Sequence, residues 1–553
     1  MKVFNLNQQI SKILIEFLIS KGVGQYFVAP GLRNAPLINT VNELTKNIFS
    51  NFDERSLGYN ALGYSKINNS PSALLCTSGT ALLNFAPAIA EAYKSNIPLI
   101  VISADRPREL IEINSNQTIQ QQGTLSNFVC EEVHIEVSPH ECGQEELLQK
   151  LKIISDGLKY NKPVHINISF DEPLDSTKGP LLEINSTKLF IENVENKNQS
   201  PELTEINELI KISERPIVLF GGNEYYKVEQ SIPKTLERIK CPVYLDISSG
   251  LKKCATPNGK LLPSLDHPES REFINKYRPD FVVVVGNYFI TKHLTNLKCL
   301  NHDSKVVYFS DNDLTQKVFS RQPSKRHPFK SFIKLELENL KSWDIETDFN
   351  KVNSAKRNKI NEYGLTFPFI SKTYLDSKLN QKIAYLGNST IIRSFDYYIP
   401  YEKSEPQTVL THRGVSGIEG FLSAAIGATI NKNGDIDLFI GDVSFIHDIN
   451  ALFSLNKAEK IIRVFLLNNS GGGIFKNLPL KGMDSSINLM TTPHQFNFEG
   501  TCKDAGINYQ KVKTKEQFIK AINEKTVHHT VFECIIDQEE NLELFKVLQT
   551  IDY

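Results

Sequence analysis

The feature that most constrains this chain is its rhythm. Short apolar runs alternate with amphipathic helical stretches along almost all of its 553 residues. Strands apolar on both faces and separated by helix-length segments pair in parallel, with helices covering the sheet on either side. YFVAPG, SALLCTS, PLIVISA and PVHINIS are the runs of the first third. RPIVLFGG, CPVYLDIS, DFVVVVGN and KVVYFS follow in the middle, and KIAYLGNS, DLFIGD, RVFLLNN and TVFECIID in the last third. Polar stretches at Thr177–Leu203 and Asp344–Asn361 separate the thirds. A chain of this length exceeds one hydrophobic core, so several domains are expected. The predicted fold is α/β, with three domains at 1–178, 200–340 and 360–553, each a mainly parallel sheet flanked by helices.

Charge and cysteine usage narrow the class. A formal net charge of −1 offers no excess of basic side chains for the phosphate backbone, so no nucleic-acid partner is expected. The eight cysteines are scattered, with no CxxC and no Cys/His pair at zinc spacing, which reads as reduced thiols of a cytoplasmic protein. The N-terminal MKVFNLNQQISKILIEFLISKGV is helical in pattern but lacks the unbroken apolar core of a signal peptide. No apolar run reaches the ~18 residues of a membrane span.

Chemistry gathers at two places. In LFIGDVSFIHDINAL, Asp442 closes one apolar strand; in RVFLLNNSGGGIF, Asn468 and Asn469 close the next. The 24 residues between Val443 and Asn468 suit one helical crossover, which sets both tips side by side at one sheet edge. A carboxylate, an amide and the carbonyls of a Gly-rich turn are hard oxygen ligands suited to Mg²⁺, and Gly471–Gly473 lets a diphosphate approach the backbone. In the first third, Glu54 of SNFDERSLGYNALGYSK follows the short strand IFSNF and opens a helix. At such a corner a carboxyl can be desolvated on one side, raising its pKa. The plainer alternative is an acid stabilised by the helix dipole.

Taken together, these segments resemble the thiamine-diphosphate enzymes, whose fingerprint is GD and NN separated by one crossover. The usual next residue after GD is Gly, and here it is Val443. The resemblance implies thiamine diphosphate with Mg²⁺ (or Mn²⁺) as cofactors. It assigns Asp442, Asn469 and the Gly471 carbonyl to the metal, Ser444 to the diphosphate, Ser389 to the cofactor, and Ile418 as an apolar prop beneath it. Glu54 becomes the catalytic acid that hydrogen-bonds the aminopyrimidine ring.

Further segments are similar to one branch of that family, which joins 2-oxoglutarate, after loss of CO₂, to isochorismate in menaquinone biosynthesis. They include VAPGLRNAPL, CTSGTALLNFAPAIAEAY, ISADRPREL, NQTIQQQGTL, LGNSTIIRSFD and HRGVSGIEGFLSAAIGA. Both substrates are dicarboxylates, and Arg33, Arg106, Lys292, Arg393 and Arg413 follow strands or Gly-rich turns where ligands collect. Asn116 and Gln117 match the branch's substrate-contacting pair, and Ser389 lies four residues from Arg393, on one helical face. Ile474, Phe475 and Leu478 are expected either to wall the pocket or to be ordinary core. Leu32, where the branch often has Ser, and His293, where it often has a second basic residue, depart from the pattern. The resemblance also implies a homodimer, or a dimer of dimers, with shared active sites. The competing readings are an acetolactate-type carboligase with another acceptor, a non-catalytic paralogue, and a nucleotide-binding oxidoreductase. The last is disfavoured because Gly221 and Gly222 stand without a GxGxxG.

Overall fold

The computed structural model describes residues 4–113, 115–139, 142–184, 203–222, 231–254, 261–296, 304–311, 326–343, 349–377, 383–400, 406–431, 434–478 and 482–551. Most of the separating stretch after Thr177, and the first residues of the one after Asp344, lie outside the described residues.

Three six-stranded sheets, all paired in parallel, follow one another along the chain. The first contains β1 (Gln25–Val28), β2 (Ile48–Ser50), β3 (Ser72–Cys76), β4 (Leu99–Asp105), β5 (Glu131–Glu136) and β6 (Val164–Ser169), in the order β2-β1-β3-β4-β6-β5. The second contains β7 (Pro216–Phe220), β8 (Val243–Leu245), β9 (Leu261–Leu262), β10 (Phe281–Val285), β11 (Lys305–Phe309) and β12 (Arg326–His327), in the order β12-β11-β10-β7-β8-β9. The third contains β13 (Ile383–Leu386), β14 (Val409–Leu410), β15 (Ile436–Gly441), β16 (Ile462–Asn468), β17 (Asn508–Val512) and β18 (Thr530–Ile535), in the order β14-β13-β15-β16-β18-β17.

The continuous apolar runs are continuous because both faces are buried. On β7 and β10, Val218, Phe220, Val283 and Val285 enter one core, while Ile217, Leu219, Val282 and Val284 enter another on the opposite face. The strands rich in polar residues, β5, β12 and β17, all lie at sheet edges, where one side of the ladder is open and polar residues are tolerated. Of the seven described cysteines six are buried; Cys299 lies outside the described residues. No helix among the described residues is long and apolar enough to cross a membrane.

By compactness the chain divides into two units: residues 1–197 with 414–432 and 448–459, and residues 198–413 with 433–447 and 460–553. The first unit therefore holds the first sheet together with the helix Phe421–Ala428, which packs on the helix Glu54–Asn68. The two backbones approach so closely that a Cβ on Gly63 would lie 1.9 Å from the Ala424 carbonyl oxygen, and one on Gly427 1.8 Å from that of Asn60. Asn60 Nδ2 donates to the Ser423 carbonyl at 2.6 Å, and Tyr59 Oη to Glu419 Oε1 at 3.1 Å. Because the clash is with backbone, no side-chain rotation relieves it. Gly63→Ala and Gly427→Ala should each destabilise the first unit by at least about 1–3 kcal/mol. Chemical denaturation checks this, and an unchanged midpoint would refute the close packing.

Candidate active site

In the second unit, the parallel register of β15 and β16 pairs Gly441 with Leu467, setting Asp442 beside the asparagine pair. The chain turns there into the helix Asp442–His447, and the Asp442 side chain is only 2% exposed. Backbone N–H groups surround the carboxylate. Val443 donates to Oδ1 at 2.7 Å, while Asn469 (3.2 Å) and Gly471 (2.9 Å) donate to Oδ2. His494 Nε2 lies 3.3 Å from Oδ2. Burial nevertheless pushes the Asp442 pKa up. Gly471 has φ +136°, and a Cβ there would lie 2.5 Å from the Thr491 carbonyl oxygen, so only glycine fits.

The two asparagines have separate tasks. Asn468 points inward: Nδ2 donates to Glu533 Oε1 at 2.6 Å, and Oδ1 accepts from Ser470 N at 3.0 Å. Asn469 donates its Nδ2 to Gln538 Oε1, which leaves its own Oδ1 free to accept. This amide pair fills the space over Gly473, where a Cβ would lie 2.3 Å from Asn469 Nδ2 and 2.5 Å from Gln538 Oε1. The available donors are thus a carboxylate, an amide oxygen and backbone carbonyls. Among the described residues no three His, Cys, Asp or Glu side chains converge as for a transition metal. This set fits Mg²⁺ or Mn²⁺ and does not suit a softer ion. Ser444 is half-buried on the same short helix.

A cluster of cations stands in the same unit. Ser389, with φ +68°, precedes the helix Thr390–Tyr397 and is not part of it. The offset of four does bring Arg393 to it, but through the backbone: Arg393 Nη1 donates to the Ser389 carbonyl at 2.6 Å. The left-handed turn at Ser389 corrects the expectation of two side chains sharing one helical face. Arg413 Nη1 donates to Asn388 Oδ1 at 3.0 Å, and its buried Nε has no partner among the described residues. Burial lowers the Arg393 pKa, and the charge of Arg413 lowers it further, so the two guanidiniums lie within each other's field. Lys292 is exposed, and His293, 3.9 Å from Asp266, is held down by burial and by Arg271. Ile474 and Phe475, on the turn Gly473–Asn477, are half-buried, and Leu478 is 39% exposed.

In the first unit, Glu54 opens its helix behind Asp53, whose carboxylate caps Ser56 N at 3.1 Å. Burial raises the Glu54 pKa against the opposing pull of its own backbone N–H. Arg33 Nη1 donates to the Phe170 carbonyl at 2.8 Å, and Nη2 lies 3.4 Å from Glu172. Burial, then the charge of Arg106, lowers its pKa. Both Arg33 and Arg106 bury an Nε without a partner. Leu32 is 76% exposed. Asn116 is exposed, as is Gln117, which has φ +58° and donates to the Ser78 carbonyl at 3.0 Å. Glu54 shares no hydrogen bond or ion pair with the other candidates of this unit among the described residues. Ile418 lies 37% exposed on a segment anchored by Glu91, whose buried carboxylate accepts from Gly414 N (2.9 Å) and Val415 N (2.7 Å). Glu91, His494 and Gln538 were not singled out from sequence. Only Glu91 carried a signal, as a lone acid within the apolar helix AIAEAY.

Comparison with known proteins agrees with this geometry. Residues 8–125 match the family described as thiamine pyrophosphate enzyme, N-terminal TPP binding domain, and residues 390–535 match its C-terminal TPP binding domain. A 2-succinyl-5-enolpyruvyl-6-hydroxy-3-cyclohexene-1-carboxylate (SEPHCHC) synthase of Chlorobium phaeobacteroides (strain BS1) is 30% identical, covering 92% of this chain and 90% of that protein. The chain belongs to the SEPHCHC synthase family. A second such synthase, from Syntrophus aciditrophicus (strain SB), is 29% identical over 99% of both chains. Like other SEPHCHC synthases, the protein is a thiamine-diphosphate-dependent enzyme, a transferase-type carboligase of menaquinone biosynthesis.

Gln538 holds the Asn469 amide nitrogen and leaves the amide oxygen available to the hard cation that this donor set fits. Gln538→Met, which keeps the length but removes the acceptor, should weaken Mg²⁺ binding about 10- to 100-fold. Gln538→Glu, still an acceptor, should weaken it less. Calorimetric titration of Mg²⁺ in the presence of thiamine diphosphate measures both.

Proposed function

We propose that the chain decarboxylates 2-oxoglutarate on thiamine diphosphate and adds the remaining four-carbon unit to isochorismate, releasing CO₂ and forming SEPHCHC. The observation that carries this reading is the pair Arg393 and Arg413. The charge of Arg413 is near enough to help lower the Arg393 pKa, and neither guanidinium forms an ion pair among the described residues. An arrangement of that kind is stabilised by carboxylates, and the two substrates bring four. Arg33, Arg106, Lys292, Asn116, Gln117 and Ser389 would complete the recognition of carboxylates and hydroxyls. Ile474, Phe475 and Leu478 would keep the reacting end dry.

Thiamine diphosphate supplies, when bound, the electron sink that makes loss of CO₂ feasible. Asp442, Asn469 and the Gly471 carbonyl would hold Mg²⁺ or Mn²⁺, with Ser444 beside the diphosphate and Ile418 propping the cofactor rings. Glu54 would hold a proton on its carboxyl and share it with a cofactor ring nitrogen. Burial favours that role because it keeps the protonated form populated to higher pH. Glu54→Gln should retain the fold and lower turnover roughly 10²- to 10⁴-fold. CO₂ release from 2-oxoglutarate, with circular dichroism as the folding control, measures it. Product analysis with isochorismate, against a second 2-oxo acid as acceptor, separates this reading from an acetolactate-type carboligase.

One cofactor needs both Glu54 and Asp442, and we propose that a homodimer, alone or paired into a tetramer, supplies them from different chains. A two-fold interface gives two identical sites. Glu54→Gln and Asp442→Ala chains, each inactive alone, should on refolding together recover roughly a quarter of wild-type activity if chains pair at random. A mixture that stays inactive, with subunit exchange verified by mass spectrometry, contradicts the shared site.

A further inference from the structure

One face of the first sheet departs from the rule that parallel strands are apolar on both sides. Along β4, β6 and β5 the register aligns Ser103 with Asn167 and His134, and Asp105 with Ser169 and Glu136; one step lower, His165 lies beside Glu132. The alternate residues Ile102, Ala104, Ile166, Ile168, Val133 and Ile135 enter the hydrophobic core, so the polar residues share the other face. Buried polar groups are costly unless hydrogen-bonded, and the middle rung satisfies that demand by bonds along the face, while His165 Nδ1 below it only approaches Glu132 at 3.3 Å. Ser103 Oγ donates to Asn167 Oδ1 at 2.7 Å and meets His165 Nε2 at 2.7 Å. Asn167 Nδ2 donates to Asp105 Oδ2 at 2.8 Å, and Gln121 Nε2 donates to Asn167 Oδ1 at 2.8 Å.

The top rung is different. Asp105, Ser169, Glu136 and His134 line a cavity of about 820 Å³ at the carboxyl ends of these strands. The strand order explains its place: the chain passes from β4 to β5 across the position that β6 later fills, a topological switch where α/β sheets leave a crevice. Ser169 is 1% exposed, yet its Oγ has no hydrogen-bond partner among the described residues. None of Glu54, Arg33, Arg106, Asn116 or Gln117 lines this space. Asp105 and Pro107 do, on either side of Arg106, so Arg106 is directed elsewhere.

Charge decides what the cavity would take. Asp105, Glu109, Glu112, Glu136, Asp171 and Glu172 line it, against the single guanidinium of Arg108. Arg108 is matched by Glu112 at 2.9 Å, Glu172 by Arg33 at 3.4 Å, and one oxygen of Glu136 by His134 at 3.0 Å. Asp105, Glu109 and Asp171 form no ion pair among the described residues. Such a lining repels the dicarboxylates that Arg393 and Arg413 fit. No three metal-ligating side chains converge among the described residues, which argues against a bare divalent ion. We propose that this cavity is a second binding site, for a small organic cation carrying a primary ammonium group. Three N–H donors on one head match the Ser169 hydroxyl and the Asp105 and Glu136 carboxylates. A cation there would also relieve the burial that raises the Asp105 pKa.

Titration calorimetry at physiological salt, with putrescine as the probe and succinate as the control, tests the proposal. Saturable binding of putrescine but not of succinate is expected, weakened at least about tenfold by Glu136→Gln and by Asp105→Asn. Ser169→Ala, which removes one oxygen and should not disturb the fold, should weaken it in the same direction. Glu43→Gln, on an exposed helix outside the cavity, should leave it unchanged. Absence of saturable binding would overturn the proposal, as would an affinity untouched by the Glu136 and Ser169 substitutions, or one lowered equally by Glu43→Gln.

Discussion

The second unit is organised around one costly act, the burial of the Asp442 carboxylate at the tip of a parallel strand. A charge that dry is tolerated only where oriented dipoles replace water, and three backbone N–H groups supply them. Two of the three come from the turn after β16, so the carboxylate and the Gly-rich loop can be in place only together. The need for Gly471, the φ of that residue and the close pairing of Asn469 with Gln538 over Gly473 follow from that docking. A dried carboxylate beside an asparagine whose amide nitrogen is held by Gln538 is a donor set that fits a hard cation.

The parallel core was legible because a strand buried on both faces has no polar positions, leaving an unbroken apolar run that periodicity detects. The edge strands were not. EEVHIE and NYQKV, β5 and β17, are broken by polar residues, which alternate with apolar ones along β5, and they resemble helix surface or loop when read alone. In β5 that alternation is the signature of the polar face that ends in the first unit's cavity. The crossover length placed Asp442 and Asn469 side by side because parallel strands joined by one helix must be neighbours or nearly so. Gln538 and His494 reach the same spot from distant elements, and no local pattern announces such convergence. Spacing misled at Ser389, where an offset of four is helical only if both residues are in the helix.

Charge distribution divides the labour of the chain. In the second unit Arg393 and Arg413 concentrate positive potential, and among the described residues the Arg413 Nε has no partner, an environment that suits carboxylates. In the first unit, the ends of β4, β6 and β5 concentrate the opposite sign over a polar floor. A net charge of −1 conceals both fields, which is why overall charge excluded partners without identifying any.

The central claim is that the Asp442 tip is a metal and diphosphate cradle. A crystal structure of the protein grown with Mn²⁺ and thiamine diphosphate, with anomalous data collected at the manganese edge, tests it most directly. The account predicts an anomalous peak coordinated by Asp442, Asn469 Oδ1 and the Gly471 carbonyl, with the Asn469 amide nitrogen still on Gln538. A peak elsewhere, or a diphosphate bound away from the turn after β16, would contradict it.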